Sequence, residues 1–583
     1  MNKSEKPSYF KTFFRSLGLI FKSTPTKVTF LMIILALQIF IPVVQATAIA
    51  KFIDSVKTLS DVKSAILIML PFIIAVLIDF LVGPLMMIVQ GECTDSLVKK
   101  VNMDLFNKVS EVDNLNTLDD PEFYDRLNML QMEIAFRPIN LIVFSFSIIR
   151  IFVTIVVMFV QLSAYSIWIP LAFLVGIFPQ SYIVYKLQVA AYENTVTRSP
   201  FVKQLNYYRD ILLGRDFSKE RVVFKYGDKF KDDYDEIIDR INGESAKDRR
   251  KKGLAGVLVS IFGVVILSIT IVLFVKNVVA GIYTIGALSL FLNYLLYTAR
   301  SSIRFIEEGS MLLETELFMN TYFEFLDFDF NMASGNSNCS DVNKIEFKNV
   351  SFKYPGRDDY ALDNVSFDFN VGDRLGIVGV NGSGKTTFIN LLTGLYRPTS
   401  GEIFVNGKTP TLENTSKEAG VVSQDFFLFS FMLGENVASS RDVDTKNAKL
   451  ALETSGFGDK YLLETYLYKD IDEDGVDVSG GEAQKIALAR AIYGDKKLLL
   501  FDEPTSKLDP KSEMKVFESF NEVSKGKTAI FVSHRMSACK FADRIILFEK
   551  GKISAIGTHE EMIKGSERYR AMWEAQAKYF HSC

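Results

Sequence analysis

Long apolar runs alternate with long charged ones through the first half of the chain, and the alternation stops near residue 328. Six runs are long and apolar enough to cross a bilayer, which takes about 20 residues as a helix. They are Val28–Ala50, Ile66–Val89, Pro138–Val160, Ile167–Leu187, Leu254–Val275 and Ile282–Tyr297. A short uncharged link, Gln161–Ser166, joins the third and fourth, and Lys276–Gly281 joins the fifth and sixth. The segments Gln90–Arg137 and Gln188–Gly253 are instead long, charged and helix-prone. Lys and Arg concentrate in these segments and in the N-terminal tail, so the positive-inside rule puts both ends and both long loops in the cytoplasm. Lys51, Lys57 and Lys63 in the first outer loop weaken that bias slightly.

Beyond Phe328–Lys344, which holds the small polar cluster Ala333–Asn338, the pattern becomes that of an α/β domain. Ile345–Lys353 and Ala361–Phe369 read as strands, after which strands and helices alternate. The expected architecture is an all-α six-helix transmembrane domain over residues 1–327, a linker over 328–344, and an α/β domain over 345–583.

Composition changes this picture little. The chain has 583 residues, is 48% hydrophobic with mean hydropathy +0.16, and carries a net charge of −3. That balance gives no electrostatic case for nucleic acid as a partner. Cys93, Cys339, Cys539 and Cys583 form no C-x-x-C pair and read as free thiols facing a reducing cytoplasm. Pro7–Thr24 mixes Lys11, Arg15 and Lys22 with Phe10, Phe13, Phe14, Leu17, Ile20 and Phe21. This is no secretory signal. It reads either as an amphipathic helix on the cytoplasmic membrane surface or as a helix packed on the protein.

Asp79 and Arg150 fall inside predicted spans, where charges are costly and commonly pair or face a cavity. They lie at similar depth on helices of opposite direction, so a register-fixing pair is expected ahead of a substrate contact. Gln38, Gln45, Gln180 and Asn293 can line a cavity or make interhelical hydrogen bonds. Within the charged loops, Thr117–Tyr124 and Tyr208–Arg215 carry apolar anchors beside helix start and stop signals, which suits docking onto another domain.

The chemistry is concentrated in the second half. Gly379-Val380-Asn381-Gly382-Ser383-Gly384-Lys385-Thr386 has the form G-x-x-x-x-G-K-[ST], between the apolar Leu375–Val378 and the helical pattern Phe388–Leu395. Strand, glycine loop and helix together make a phosphate-binding loop rather than a mere turn. Glycines let backbone N–H groups and a helix N-terminus close around phosphates. Gly379, Asn381, Gly382, Ser383, Gly384, Lys385, Thr386 and the adjoining Thr387 are the expected nucleotide contacts, Lys385 reaching the terminal phosphates and Thr386 a Mg²⁺ ion. The apolar Leu498–Phe501 ends in Asp502-Glu503. Asp502 is expected in the Mg²⁺ shell and Glu503 is placed to take a proton from an attacking water. Ser479-Gly480-Gly481 opens a helix running to about Tyr493, a second anion-binding device.

Ser-Gly-Gly followed by the paired carboxylates resembles the signature and Walker B motifs of the ATP-binding cassette (ABC) family. The resemblance implies ATP and Mg²⁺ as cofactors and a P-loop cassette domain with a helical subdomain. It further implies that Tyr354 stacks on adenine, that Gln424 sits near Mg²⁺ and the attacking water, and that His534 contacts the γ-phosphate. Ser506–Asp509 looks like the D-loop. The two loop stretches match the family's coupling helices, and Pro7–Thr24 matches its elbow helix. Glu482 and Val478 stand where the signature usually has glutamine and leucine, Lys507 where the D-loop usually has a small residue, and Asp472–Gly475 is an unusually acidic approach to the signature.

The whole layout is similar to a half-transporter of the ABC exporters. That implies a dimer in which each ATP lies between one chain's phosphate loop and the other's Ser479, Gly480 and Gly481. A homodimer is favoured and a heterodimer is the alternative. The expected activity is ATP-driven export of an amphipathic drug, peptide or lipid across the plasma membrane, with an ATP-gated sensor or channel, or a lipid flippase, as alternatives. No protease-like domain precedes the spans, so leader cleavage by this chain is not expected.

Overall fold

The structure is a computed structural model. It describes residues 9–56, 59, 61–112, 114–176, 179, 182–183, 186, 199–214, 217–328, 344–370, 372–405, 419–504, 518, 520, 522–533 and 536–581. The chain divides into two compact units, one of Met1–Asn107 with Asn128–Phe328, the other of Lys108–Leu127 with Asp329–Cys583.

The first unit is helical. Among the described residues, four helices carry stretches long and apolar enough to span a membrane: Pro25–Ser55, Val62–Ser110, Arg137–Ser163 and the Gly253–Val279 part of Gly227–Val279. The predicted fourth span falls largely outside the described residues. The sixth lies at the start of helix Ile285–Asp327, where Asn293, Tyr294, Tyr297 and Arg300 interrupt the apolar run. Helices of 49, 53 and 43 residues far exceed a bilayer crossing. At 1.5 Å per residue they extend tens of ångströms beyond it. The apolar spans and the charged loop helices are thus continuous rods. Apolar side chains left exposed along them, such as Phe80, Leu81, Leu258 and Val272, suit a lipid solvent.

Asp79 and Arg150 do not pair, contrary to expectation. Among the described contacts, Arg150 donates to Gln38 Oε1 at 3.1 Å and to Ser147 Oγ at 3.4 Å. Asp79 is exposed on its helix. Matched depth did not bring the two together because depth leaves rotation about the helix axis undetermined. Gln38 therefore makes an interhelical bond, whereas Asn293 bonds Ser289 O of its own helix at 2.8 Å. Gln180 lies outside the described residues.

The N-terminal amphipathic stretch is a helix, Tyr9–Ser23. It buries Thr12, Ser16 and Ile20 and leaves Phe14 and Phe21 exposed. Its inner face docks on helix Ile285–Asp327 through polar contacts: Thr12 to Asn320 at 3.2 Å, Ser16 to Glu316 at 3.1 Å, and Arg15 to Asp327. Glu316 is 4% exposed, its Oε1 has no partner among the described residues, and burial pushes its carboxyl up to about 7. An acid that ionises near 4.5 when unfolded and near 7 when folded destabilises the fold progressively as pH rises between those values. Glu316→Gln keeps an acceptor for Ser16 without the buried charge. It is therefore expected to raise the unfolding temperature at pH 8, by the equivalent of at most about 3 kcal/mol, and to lose its advantage near pH 4.5. Thermal unfolding at the two pH values checks this.

The second unit is built on two sheets. β1 (Lys344–Phe352), β2 (Leu362–Asn370) and β4 (Ser400–Val405) form an antiparallel sheet ordered β2-β1-β4. The other has the order β5-β6-β7-β3-β8-β9, from β5 (Ala419–Val422), β6 (Leu498–Asp502), β7 (Thr528–Val532), β3 (Arg374–Gly379), β8 (Arg544–Glu549) and β9 (Lys552–Gly557). β5, β6, β7, β3 and β8 run parallel, and β9 closes the edge antiparallel. β6 and β7 are buried at every position, as expected for strands covered on both faces. Ligands of such sheets bind outside the carboxyl ends of the strands. Gly379 ends β3 and Asp502 ends β6, with β7 between them.

Segment 108–127 belongs to this unit too. Asn114 caps the short helix Leu115–Leu118, and Asp120 accepts from Glu122 N at 2.9 Å to start helix Pro121–Glu133. Leu115 N donates to Leu395 O at 2.6 Å, Arg397 N donates to Asn116 Oδ1 at 2.8 Å, and the Tyr396 hydroxyl donates to Asp119. The loop stretch that carries apolar anchors in the sequence therefore docks on the turn after helix Lys385–Leu392.

Candidate nucleotide site

The loop from Val380 to Gly384 has to turn a buried strand into a buried helix within five residues. Glycine permits this where other residues would not. Gly382 sits at φ 76° and Gly384 at φ 107°. A Cβ on Gly384 would lie 2.7 Å from both Ala361 O and Leu362 Cδ2. Beside the loop lies a pocket of about 310 Å³ lined by Tyr354, Tyr360, Ala361, Gly382, Lys385 and Thr387, among others. Tyr354 stands edge-on to Phe352 and Tyr396, at 5.0 and 5.3 Å between ring centroids, and its hydroxyl bonds Thr387 Oγ1 at 3.0 Å. An aromatic wall next to an amide-rich loop and a lysine fits a base with a polyphosphate.

Lys385 is buried and donates to the carbonyls of Gly379 and Val380, each at 3.1 Å. Burial pushes its pKa down, and the Glu503 and Asp502 carboxylates oppose that shift. Asp502 is 2% exposed and pushed up to about 6, chiefly by burial. A hydrogen bond from Thr386 works against this, and the negative charges of Glu503 and Asp425 add to it. Asp502 Oδ1 has no partner among the described protein atoms. A buried carboxylate oxygen with no donor, beside a threonine hydroxyl, suits a divalent cation. No described cluster of three His, Cys, Asp or Glu could hold a metal alone. That fits Mg²⁺, which takes one or two protein oxygens and completes its shell with water and phosphate.

Glu503 follows β6 with φ 50°, a left-handed conformation sparsely used outside glycine. Its N–H donates to Val532 O at 3.0 Å, and its carbonyl accepts from Gln484 Nε2 at 3.5 Å. Two neighbouring elements thus hold the Glu503 main chain where β6 ends, and strain of about 1–3 kcal/mol of this kind gathers at functional sites. Gln424 is exposed in the turn after β5. His534 and the segment Ser506–Asp509, with Lys507, lie outside the described residues.

Ser479 caps helix Gly480–Ile492, so Gly480 and Gly481 form its first turn with N–H groups free of helix bonds. The loop, Tyr354, Asp502 and Glu503 converge at the strand ends. Ser479 opens a separate helix, as a site shared between two chains would require. Sequence reasoning missed Gln484, buried within that helix, and Tyr396, which ties Tyr354 to Asp119. Gln484 had a weak signal, two residues past the signature; Tyr396 had none.

This geometry, fused to membrane-spanning helices, defines a membrane-bound ATPase. Residues 362–506 match the ABC transporter family. Over 92% of the chain and 89% of the relative it is 29% identical to the subtilin transport ATP-binding protein SpaT of Bacillus subtilis. Over 96% and 95% it is 26% identical to the nisin transport ATP-binding protein NisT of Lactococcus lactis subsp. lactis. A 37% match to an ATP-dependent lipid A-core flippase of Photobacterium profundum covers 44% of this chain and 45% of that protein. The fold matches a bacterial Atm1-family ABC exporter solved with ATP bound, with TM-score 0.75 and 22% identity over 94% of this chain and 99% of that one. The chain thus carries an ABC transporter domain behind an N-terminal membrane domain. It is an ATPase coupled to transport.

Proposed function

We propose that the chain exports an amphipathic peptide as a homodimer, with residues 1–327 as the membrane domain, 328–344 as linker and 345–583 as the cassette. The observation that carries the substrate class is the alignment along nearly the whole chain with two relatives named for transport of subtilin and nisin, which are peptides. The flippase match covers less than half of either chain, so a lipid substrate is the second reading.

In this reading both chain ends and the loops face the cytoplasm, and each ATP lies between one chain's loop and its partner's signature. Tyr354 packs against the base. Gly379, Asn381, Gly382, Ser383, Gly384, Lys385, Thr386 and Thr387 hold the phosphates, with Ser479, Gly480 and Gly481 supplied across the interface. Thr386 and Asp502 hold Mg²⁺, with Gln424 nearby, and the ion's role is to neutralise phosphate charge. Glu503 accepts the proton of the attacking water, and His534 contacts the γ-phosphate. ATP bridges two chains and so favours the closed arrangement; hydrolysis removes the bridge. Every position needed for two active sites is filled in this one sequence, which supports a homodimer over a pairing with a degenerate partner.

The test is the purified chain in lipid nanodiscs and inside-out vesicles. The expected result is a particle of twice the chain mass, ATPase stimulated by amphipathic peptides, and ATP-dependent peptide accumulation. Stimulation by lipids alone would favour the flippase. A chain active only with a second polypeptide would remove the homodimer.

A further inference from the structure

The signature helix carries a charge arrangement that the shared-site reading does not explain. Glu482 stands at the third position of helix Gly480–Ile492, and its Oε2 accepts from Ser479 N at 2.8 Å and from Ser479 Oγ at 2.9 Å. The Ser479 hydroxyl proton is therefore committed to Glu482, and Ser479 Oγ in turn accepts from Glu482 N at 3.3 Å. Glu482 Oε1 pairs with Lys460, a residue from outside the helix that follows helix Thr445–Thr454. The Lys460 ammonium, then the Ser479 donors, hold the Glu482 carboxyl down at about 2. A full negative charge thus sits beside the helix N-terminus that is to receive a triphosphate. Lys460 is half exposed, and ion pairs of that kind contribute little to folding.

We propose that Lys460 is a positioning residue for ATP engagement: it masks the Glu482 charge and holds that carboxylate so that the Ser479 hydroxyl can pass from Glu482 to a phosphate oxygen. The inference rests on the reading that Ser479 faces the ATP of a second chain. Two effects act in the same direction. A carboxylate paired with an ammonium repels phosphate less than a bare one. It is also a weaker acceptor, so the serine proton leaves it more readily. A glutamine at this position would need no mask; Lys460 also lies over the Tyr461 ring, 4.9 Å from its centroid, which leaves its ammonium in place beside the helix end whatever stands at position 482.

The experiment is ATPase kinetics of the full chain in nanodiscs. Lys460→Ala is expected to raise KM for ATP about tenfold with kcat changed less than threefold and the unfolding temperature unchanged. Lys460→Arg should retain wild-type KM. With Glu482→Gln in the background, adding Lys460→Ala should change nothing further, because the charge to be masked is gone. A wild-type KM in Lys460→Ala, or a defect that persists in the double variant, overturns the proposal. Ser479→Arg separates the two levels of argument. If it abolishes ATPase while Lys460→Ala is silent, the shared site stands and the role of Lys460 falls. If Ser479→Arg is active, both fall together.

Discussion

Glu503→Gln is expected to bind ATP as tightly as the wild type and to hydrolyse it at least about a hundredfold more slowly. Loss of a general base removes about 10²–10⁴ in rate, and that is the role proposed above for this side chain. Glu503 adjoins the buried Asp502 at the carboxyl end of β6, in a backbone conformation held from β7 and from Gln484. Glutamine keeps the shape and the hydrogen bonds of the main chain and loses only basicity. Removing the negative charge also lifts one of the influences that push Asp502 up, so cation binding is not weakened. The variant should therefore accumulate in the ATP-bound, closed dimer. Single-turnover hydrolysis together with equilibrium nucleotide binding checks both halves. Turnover within a few-fold of wild type would take the general-base role away from Glu503.

How legible these features were depended on the distance over which they are encoded. The phosphate loop, the strand ending in Asp502-Glu503 and the Ser479 cap are contiguous, and local backbone geometry dictates their residue types. The structure accordingly shows β3 over Arg374–Gly379 and helix Gly480–Ile492 close to where they were expected. Apolar runs marked the membrane crossings, but the charged residues beyond each run hid the fact that the same helix continues. Val62–Ser110 takes in the predicted second span and much of the following loop. Pairings between distant segments left no trace. Tyr396 and Asp119 are 277 positions apart, and Lys460 and Glu482 meet only because a loop folds back on a helix end. The expected Asp79–Arg150 pair shows the same limit from the other side: counting along two helices says nothing of rotation about their axes, and Arg150 bonds Gln38 instead.

Lys385→Ala is expected to weaken ATP binding at least about a hundredfold while changing affinity for adenosine by less than threefold. The ammonium is held by the carbonyls of Gly379 and Val380, both 3.1 Å away, so it is already aimed along the loop and little ordering remains to be done on binding. It is the buried cation of the site, placed against the carboxylates Asp502 and Glu503, whose charges oppose the fall in its pKa that burial causes. A triphosphate arriving there would otherwise face two acids with no buried positive charge from the loop. Hydrogen bonds to charged groups contribute roughly 1.5–3 kcal/mol each, and about 2.7 kcal/mol corresponds to a hundredfold in affinity. Adenosine lacks the phosphates and, in the proposed function, meets only the Tyr354 side of the pocket. Removing Lys385 also frees two carbonyls, so the loop's own stability should fall slightly; a binding titration with ATP, ADP and adenosine distinguishes that general loosening from loss of phosphate recognition. Equal losses for all three ligands would mean that the loop had collapsed, whereas unchanged ATP affinity would mean that Lys385 does not face the phosphates at all.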